Sequence, residues 1–293
     1  MQRLEDYIVP LIEKGGPEPS EYSGLNHFFI NADAMLKANI ITSKQIYKIW
    51  EMFGDAFSEK TIQGFAVKKP HGYSGDFEII DRIYTNWISP EKNLQNWDKF
   101  FHWQKAPVAV RNRKSYLKNI LHEIENSELD TPSILNIGCG PSRDIYEYIH
   151  ENPNTKISFD CLDMDANAID YSKKLLNGTN VKFICKNAFR FRPDRQYDLI
   201  WSAGLFDYLD EKKFVFLIKS LLKSVASDGQ LIVGNFSKFN TSRSYMEFGE
   251  WYLFHRDLVE LTTLAYMSGV PMGLFNIESE PSGVNLFLRI FKQ

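Results

Sequence analysis

The stretch that decides the fold is Ser133-Ile-Leu-Asn-Ile-Gly-Cys-Gly-Pro-Ser142. Its first five residues carry three large apolar side chains, which is typical of a buried strand, and a helical pattern begins at Arg143. Gly138 and Gly140 lie where strand would turn into helix, and they let the backbone come close to a nucleotide-like ligand. A dinucleotide fold would place a third glycine at Arg143, so the sequence disfavours a bound pyrophosphate.

From this stretch to the C-terminus, short apolar runs alternate with helical segments. The predicted strands are residues 133–137, 157–162, 181–185, 197–202, 230–235, 273–279 and 284–291. The predicted helices are residues 143–150, 166–176 and 211–226, and an Asp228-Gly229 turn introduces the fifth strand. This alternation predicts an α/β fold of the Rossmann-like, doubly wound type. We expect a mostly parallel seven-stranded sheet that ends in an antiparallel hairpin.

Residues 1–125 show a different pattern, in which apolar residues return at three- and four-residue steps and predict amphipathic helices. Two segments rich in Gly and Pro, residues 15–19 and 68–76, break the helices. We therefore predict two domains: a helical N-terminal lid or substrate region at 1–125, and a ligand-binding sheet domain at 126–293. Tyr73, held among glycines in the second break, is predicted to close over the ligand.

Composition excludes several classes of protein. The 293 residues carry a net charge of -3, and basic residues are spread along the chain, which disfavours a nucleic-acid partner. Cys139, Cys161 and Cys185 form no CxxC pair, which fits a reducing compartment. No stretch approaches the roughly 20 apolar residues that span a bilayer, and the N-terminus lacks a signal-peptide pattern. We predict a cytoplasmic protein without membrane span or metal site; its oligomeric state is left open.

Polar residues follow the second and third predicted strands. Asp163 ends the second strand, 23 residues after Gly140, where a carboxylate can accept both hydroxyls of a ribose. Met164 beside it would offer an apolar surface to an adenine. Asn187-Ala188-Phe189 follows the third strand, where the amide could contact the adenine edge and Phe189 could pack against the ring.

The segment Ser202-Ala-Gly-Leu-Phe-Asp-Tyr-Leu209 follows the fourth strand. Its small residues Ser202, Ala203 and Gly204 would let the backbone approach a sulfonium. Phe206, Asp207 and Tyr208 are expected to face the methyl acceptor.

These four pieces, in this order, resemble the successive motifs of class I S-adenosylmethionine-dependent methyltransferases, from about residue 131 to the end. The resemblance implies S-adenosylmethionine as cofactor and methyl transfer as activity. Two positions depart from the family pattern: Asn136 replaces a common acidic residue and Ser142 a common third glycine. The implied cofactor contacts are Tyr73, Arg111, Asn136, Gly138, Cys139, Gly140, Asp163, Met164, Asn187, Ala188, Phe189, Ser202, Ala203 and Gly204.

A narrower resemblance covers almost the whole chain. Its segments are Gly72-Tyr-Ser-Gly-Asp76, Ala109-Val-Arg-Asn-Arg113, Gly204-Leu-Phe-Asp-Tyr208, Gly234-Asn-Phe236 and Arg243-Ser-Tyr-Met-Glu247. They are similar to a bacterial group of extracellular-factor, 3-hydroxy-fatty-acid methyl ester synthases. This resemblance implies a small or fatty-acid-like acceptor.

The predicted function is O-methylation of a carboxylate or hydroxyl of a small-molecule acceptor. Asp207, Tyr208, Arg243 and Tyr245 are the candidate catalytic residues, with Arg243 beside Tyr245 as a clamp for an acceptor carboxylate. Arg111 or Arg113 would hold the methionine carboxylate of the cofactor. Two alternatives stay open: N-methylation of a natural product, and a cofactor-binding sensor or scaffold that no longer transfers methyl.

Overall fold

Seven strands form one sheet in the computed structural model, which describes residues 2–293. The strands are β1 (Ser133–Ile137), β2 (Ser158–Asp163), β3 (Val181–Cys185), β4 (Tyr197–Ser202), β5 (Val225–Phe236), β6 (Phe275–Ser279) and β7 (Asn285–Phe291). They lie in the order β3-β2-β1-β4-β5-β7-β6. β1 to β5 pair in parallel, whereas β7 is antiparallel to β5 and β6. The predicted Rossmann-like sheet with its antiparallel C-terminal hairpin is confirmed.

Helices occupy the front of the chain and the crossovers between strands. They are α1 (Gln2–Glu13), α2 (Tyr22–Lys37), α3 (Ser43–Phe53), α4 (Ile62–Lys68), α5 (Phe77–Tyr84), α6 (Gln95–Trp103), α7 (Lys105–Glu125), α8 (Arg143–Glu151), α9 (Ala166–Leu175), α10 (Glu211–Leu222), α11 (Arg243–Phe248) and α12 (Leu258–Met267). The predicted helical front is therefore present. The break predicted at residues 68–76 separates α4 from α5, because Asp76 caps α5 by accepting the amides of Glu78 and Ile79.

The predicted helix 211–226 is too long. α10 ends at Leu222, and Val225 already belongs to β5, where it pairs with Tyr197. The Asp228-Gly229 turn lies inside β5 and does not precede it. Asp228 has a φ of 59°, and the β4–β5 register shifts between Tyr197 and Leu199. Leu221-Leu-Lys-Ser-Val-Ala226 contains neither Gly nor Pro to mark the end of the helix, so periodicity alone could not place the boundary.

The chain divides into two compact units. One comprises the described residues up to Val108 together with Thr241–Tyr252, and the other comprises Ala109–Asn240 and Leu253–Gln293. We call them the helical unit and the sheet unit. The predicted boundary at residue 125 coincides with the end of α7, whereas the units divide within α7. The role of residues 1–125 as a lid stays a prediction.

In the sheet unit, apolar side chains cover both faces of the sheet, as expected for parallel strands. One cluster joins β4 and β5 to α10 and α12 through residues such as Ile200, Phe214 and Leu261. The other joins the strands to α7 and α8 through residues such as Trp201 and Phe287.

The helical unit owes part of its core to α11. The Tyr245 ring lies 4.7 Å from that of Phe29, and the Phe248 ring lies 4.9 Å from the same side chain. The segment that follows β5 in sequence thus completes a bundle formed mainly by the first hundred residues. Among residues 2–293, no helix combines the length and apolar composition needed to span a membrane.

We expect Phe287→Ala to destabilise the sheet unit by about 3–5 kcal/mol, because large-to-small changes in a packed core leave a cavity. Phe287 is fully buried, stacked on Tyr116 at 3.9 Å and on Trp201 at 5.6 Å. Urea unfolding followed by circular dichroism measures the loss. Phe239→Ala, at a side chain that is 78% exposed, is the matched control and should change stability by less than about 0.5 kcal/mol. Equal effects of the two changes would contradict the assigned core.

Candidate active site

The candidate site lies at the carboxyl ends of β1, β2 and β4. β1 is central, with β2 on one side and β4 on the other. The order of the strands reverses at this point, and open α/β sheets bind their ligands in the crevice that such a reversal creates. The loops that follow these three strands therefore line the expected cofactor crevice.

The loop after β1 depends on its glycines. Gly138 and Gly140 have φ values of 64° and 52°, a region that side chains rarely adopt. The amides of Gly138 and Cys139 donate to the Leu162 carbonyl at 2.8 and 3.1 Å, so the loop is bonded to the end of β2. A Cβ at Gly138 would lie 3.3 Å from the Leu205 Cβ. A larger residue would meet both backbone strain and crowding there.

The Asp163 carboxylate is held in a fixed orientation beside this loop. Its Oδ2 accepts the Gly140 amide at 2.9 Å, and its Oδ1 accepts the Asp165 amide at 3.0 Å. Burial raises the pKa of the Asp163 carboxyl, while these backbone donors act in the opposite direction. Each carboxylate oxygen keeps a second lone pair, so both can still accept a ribose hydroxyl.

The residues predicted to contact an adenine flank Asp163. The Met164 side chain is 69% exposed and free to cover a ring. Asn187 Oδ1 accepts the Phe189 amide at 2.8 Å, which shapes the turn after β3. Ala188 is buried, and the Phe189 ring stacks on Phe216 with centroids 6.1 Å apart. Phe189 thus has a protein partner in addition to any ligand.

Ser202, Ala203 and Gly204 place only small side chains at the end of β4. Ser202 Oγ donates to the Ile137 carbonyl at 2.9 Å and so joins the ends of β4 and β1. The Ala203 carbonyl accepts Arg113 Nη1 at 3.2 Å. A Cβ at Gly204 would lie 3.2 Å from the same guanidinium nitrogen. Arg113, a buried residue of α7, is therefore the arginine that reaches this point of the sheet unit.

The turn after β4 differs from the prediction at Phe206. The Phe206 side chain is fully buried, with its ring 4.8 Å from that of Phe214, so it belongs to the core and cannot face an acceptor. Tyr208 is 38% exposed, and its role at the acceptor stays a prediction. Core packing of Phe206 is what fixes the turn that presents Tyr208.

Asp207 is buried at the centre of the same turn. Its Oδ1 accepts the Phe236 amide at 2.6 Å, and its carbonyl accepts the Phe254 amide at 2.8 Å. Burial raises the pKa of the Asp207 carboxyl to about 7, although Arg113 and Arg256 act in the opposite direction. The carboxyl therefore ties the turn to the end of β5.

Arg256 is a residue of this region that the sequence did not single out. Its buried guanidinium donates to the Phe206 carbonyl at 3.2 Å, to Asn235 Oδ1 at 2.6 Å, and to the Leu209 carbonyl. These bonds clamp both ends of the turn to β5. Asp144, in the first turn of α8, was missed as well; burial raises its pKa, and Arg113 counteracts the rise. Single charged residues outside a motif give no sequence signal for such roles.

Two predicted cofactor contacts lie within the protein interior. Asn136 is buried in β1, in register with Cys161 and Trp201, and its Nδ2 has no hydrogen-bond partner within residues 2–293. The Cys139 thiol is also buried, and its contact with Cys161, together with burial, raises its pKa well above the ordinary value. Any part that Cys139 takes in cofactor binding would come from its main chain.

The remaining predicted residues are spread over both units. Arg111 is half-buried in the part of α7 that belongs to the sheet unit, and burial lowers its pKa. Tyr73, which is 40% exposed, lies in the helical unit with Arg243 and Tyr245. Arg243 Nε donates to Glu247 Oε1 at 2.5 Å, and the buried Tyr245 hydroxyl donates to Gln63 Oε1 at 2.8 Å. Both candidate acceptor contacts thus already have protein partners, and their catalytic roles stay predictions.

The loop fits S-adenosylmethionine. The glycine backbone leaves a surface without side chains above β1, and Asp163 supplies an oriented carboxylate next to it. We expect the adenine to contact the exposed Met164 and the turn after β3. The small residues Ser202, Ala203 and Gly204 at the end of β4 would leave room for the sulfonium.

Comparisons with known proteins agree with this geometry. A family model described as a methyltransferase domain matches residues 134–229. Malonyl-[acyl-carrier protein] O-methyltransferase 2 of Ilyobacter polytropus is 34% identical over 128 residues, which are 43% of this chain and 46% of that protein. The malonyl-[acyl-carrier protein] O-methyltransferase of Acetivibrio thermocellus is 24% identical over 157 residues, 54% of this chain and 51% of the relative. The chain thus spans about half the length of the curated relatives it matches.

A solved structure supports the fold. A possible exported protein from Bordetella parapertussis superimposes with a TM-score of 0.61 at 14% sequence identity, covering 74% of this chain and 79% of that one. At this level of identity the likeness concerns the fold alone.

The sheet order and the glycine loop define a Rossmann-like fold of the class I type, with a site for a nucleotide-like cofactor at the switch point. Residues 134–229 of this fold are similar to a methyltransferase domain. The resemblance to class I S-adenosylmethionine-dependent methyltransferases is confirmed, and S-adenosylmethionine is the cofactor of that class.

Asp163→Ala should weaken S-adenosylmethionine binding at least about tenfold. The variant would lose the two hydrogen bonds expected from the ribose hydroxyls to the charged carboxylate, and the Gly140 amide would lose its acceptor. Calorimetric titration with the cofactor and its demethylated product measures the change. Asp165→Ala removes the neighbouring cap of α9 without touching that loop bond and serves as the control. Unchanged affinity in Asp163→Ala would refute the ribose contact.

Asp207→Asn should change how stability depends on pH. The folded pKa of Asp207, about 7, exceeds the unfolded value of about 3.9, so the folded state binds more protons between these values. Stability is therefore lost as pH rises through this window, by up to about 1.4 kcal/mol per pH unit, and levels off above the folded pKa. The asparagine variant keeps an acceptor for the Phe236 amide and should lack this decline.

Urea unfolding of the unchanged protein and of Asp207→Asn between about pH 5 and pH 8 measures how the stability of each depends on pH. The difference in unfolding free energy should grow in favour of the variant as pH rises. Parallel pH profiles would show that the Asp207 carboxyl titrates normally.

Proposed function

We propose that this protein transfers the methyl group of S-adenosylmethionine to a carboxylate oxygen of a small or acyl-type metabolite. When bound, S-adenosylmethionine supplies a methyl group on a sulfonium that a nucleophile displaces in line. A carboxylate is already ionised at neutral pH and has no proton to lose, so its methylation requires no general base.

The observation that carries this choice is the burial of Asp207. It is the acidic residue of the turn expected to face the acceptor, yet its side chain is only 2% exposed and is bonded to the Phe236 amide. The sequence also offers His255 as a general base. This side chain is buried as well, and its ring nitrogens contact Asn240 and the Leu253 carbonyl.

Glu247 and His71 could also serve as a base. Glu247 pairs with Lys37 and Arg243, and the His71 ring contacts Glu78 Oε2 at 3.1 Å. Methylation of a hydroxyl or an amine would use such a base, whereas methylation of a carboxylate requires none.

The protein's contribution is then mainly positioning. Asp163 and the glycine loop would hold the cofactor, with Gly140 oriented by the Asp163 carboxylate. The turn after β4 would place Tyr208 beside the acceptor, and Asp207 and Arg256 would keep that turn in place. Alignment of two reactants in a fixed geometry can by itself contribute several kcal/mol to a displacement reaction, up to about 7–11 kcal/mol in the best intramolecular cases.

The relatives support oxygen as the accepting atom. Their name, malonyl-[acyl-carrier protein] O-methyltransferase, describes O-methylation of a malonyl group on a carrier protein. Because this chain spans about half of each relative, the transfer of that substrate class to it is our proposal.

The product of the reaction tests the proposal. We expect purified protein, given methyl-labelled cofactor and matched sets of carboxylic acids, alcohols and amines, to label acids with a chain of several carbons, as detected by mass. Mild alkali should release the label as methanol, because it hydrolyses a methyl ester but neither an ether nor a methylamine. A label that survives alkali would overturn the carboxylate assignment, and labelling of amines would favour N-methylation.

Tyr208→Phe distinguishes the acceptor turn from the cofactor site. We expect turnover to fall about 10- to 100-fold while cofactor affinity stays within about twofold, as for an interaction made in the transition state. Tyr197→Phe is the control, because it removes a buried hydroxyl that is bonded to Asp160. It should lower stability and leave the ratio of turnover to cofactor affinity unchanged. Full turnover in Tyr208→Phe would exclude Tyr208 from the reacting centre.

A further inference from the structure

We propose that one face of the sheet unit docks an acidic protein domain that delivers the acceptor as a tethered group. This inference rests on the proposed function and adds a partner to it. The face consists of exposed residues of α10, of Lys223 directly after its last residue, and of the loop after β3. We call it the basic face; its members are Lys186, Arg190, Arg192, Lys212, Phe216, Lys219 and Lys223.

The solvent side of α10 carries a regular pattern. Lys212, Phe216, Lys219 and Lys223 follow one another at steps of four, three and four residues, so they lie on one side of the helix. All four are exposed. The opposite side of α10 is buried in the core of the sheet unit through residues such as Phe214 and Leu217.

The loop after β3 joins this surface through an aromatic contact. The Phe189 and Phe216 rings are stacked, with centroids 6.1 Å apart and planes at 19°. Phe216 nevertheless stays 50% exposed. Arg192 donates to the carbonyls of Phe189 and Phe191 at 3.1 and 2.7 Å, which fixes its guanidinium next to the aromatic pair.

The charge of the basic face stands out in an acidic chain. Residues 186–195 contain four basic and one acidic side chain, and residues 210–223 contain four basic and two acidic ones, whereas the whole chain has a net charge of -3. Basic residues that are spread along the sequence are thus gathered by the fold.

Several of these cations are not neutralised. Within the described part of the chain, Lys186, Arg190, Lys212, Lys219 and Lys223 form no ion pair. Lys213, one residue further on α10, pairs with Asp210 at 3.0 Å. The unpaired cations are therefore available to an acidic partner.

The location of the basic face connects it to the proposed reaction. α10 begins at Glu211, directly after the turn that presents Tyr208, and Lys212 is four residues beyond that tyrosine. Phe189 directly follows Asn187-Ala188, which is predicted to contact the cofactor. A protein bound here would bring a flexible tether to the loops that hold both reactants.

The composition of the face favours a protein over other polyanions. The half-exposed Phe216, stacked on the partly buried Phe189 and flanked by cations, matches the anatomy of protein interfaces. In such interfaces an aromatic centre supplies affinity and a charged rim supplies steering. Membrane adsorption needs a broad apolar side that can enter the lipid, which one aromatic pair does not provide. Nucleic acid and anionic lipid remain outcomes that the experiment distinguishes.

Charge reversal tests the proposal. The probes are an acyl carrier protein loaded with a malonyl group and the malonyl thioester of N-acetylcysteamine, which offers the same acceptor without the protein. We expect Lys212→Glu with Lys219→Glu to raise KM for the loaded carrier protein at least about tenfold, with KM for the free thioester and cofactor affinity unchanged. Lys44→Glu with Lys48→Glu, on exposed positions of α3, makes the same change in net charge and should leave all three values unchanged.

Binding is measured separately from turnover. Fluorescence anisotropy of labelled, unloaded carrier protein should show affinity that falls as salt is raised from about 25 to 250 mM and that is lost in the double variant. Equal KM changes for both substrates, or none for the carrier protein, would overturn the proposal. The proposal would also be overturned if the double variant lost binding to a DNA duplex or to phosphatidylglycerol vesicles and still bound the carrier protein as the unchanged protein does. Carrier binding without methylation of either probe would leave the docking face standing and count against the proposed acceptor.

Discussion

The hydrogen bond from the Gly140 amide to the Asp163 carboxylate is the interaction on which the candidate site depends. It joins the loop after β1 to the end of β2, and it forms because the parallel pairing of these strands brings both ends to the same edge. Positive φ values at Gly138 and Gly140 turn the amides toward β2. The same carboxylate that shapes the loop would thus bind the ribose, so the residue that contacts the cofactor would also preorganise the loop around it.

The sequence predicts those parts of the fold whose causes are local. The positions of β1, β3 and β4, the glycine loop and the break before Asp76 follow from short-range patterns. The end of α10 was missed because pairing of Val225 with Tyr197, a contact between distant segments, decides it. Burial of Phe206 and the clamp by Arg256 were missed for the same reason. The site roles of Asp163 and Asn187 rest on a resemblance, and their geometry is compatible with it.

The helical unit is built from two segments that are far apart in sequence. α11 lies between β5 and α12 in sequence, yet Tyr245 and Phe248 pack in the core of the helical unit. Removal of the N-terminal helices alone would expose these side chains and leave the Lys37 partner Glu247 unpaired on that side. A test of the predicted lid role must therefore remove Thr241–Tyr252 together with the N-terminal helices, because removal of one segment alone exposes the core side chains of the other.

The state of Asp207 bears on what kind of chemistry the turn can support. Desolvation outweighs two neighbouring arginines and raises its pKa to about 7, so both protonation states occur near neutrality. Both states can accept the Phe236 amide, because a neutral carboxyl keeps its carbonyl oxygen as acceptor. Arg256 holds the flanking carbonyls of Phe206 and Leu209 in either case. The geometry of the turn therefore does not depend on the protonation state of Asp207, which is compatible with the proposed methylation of an acceptor that is already ionised.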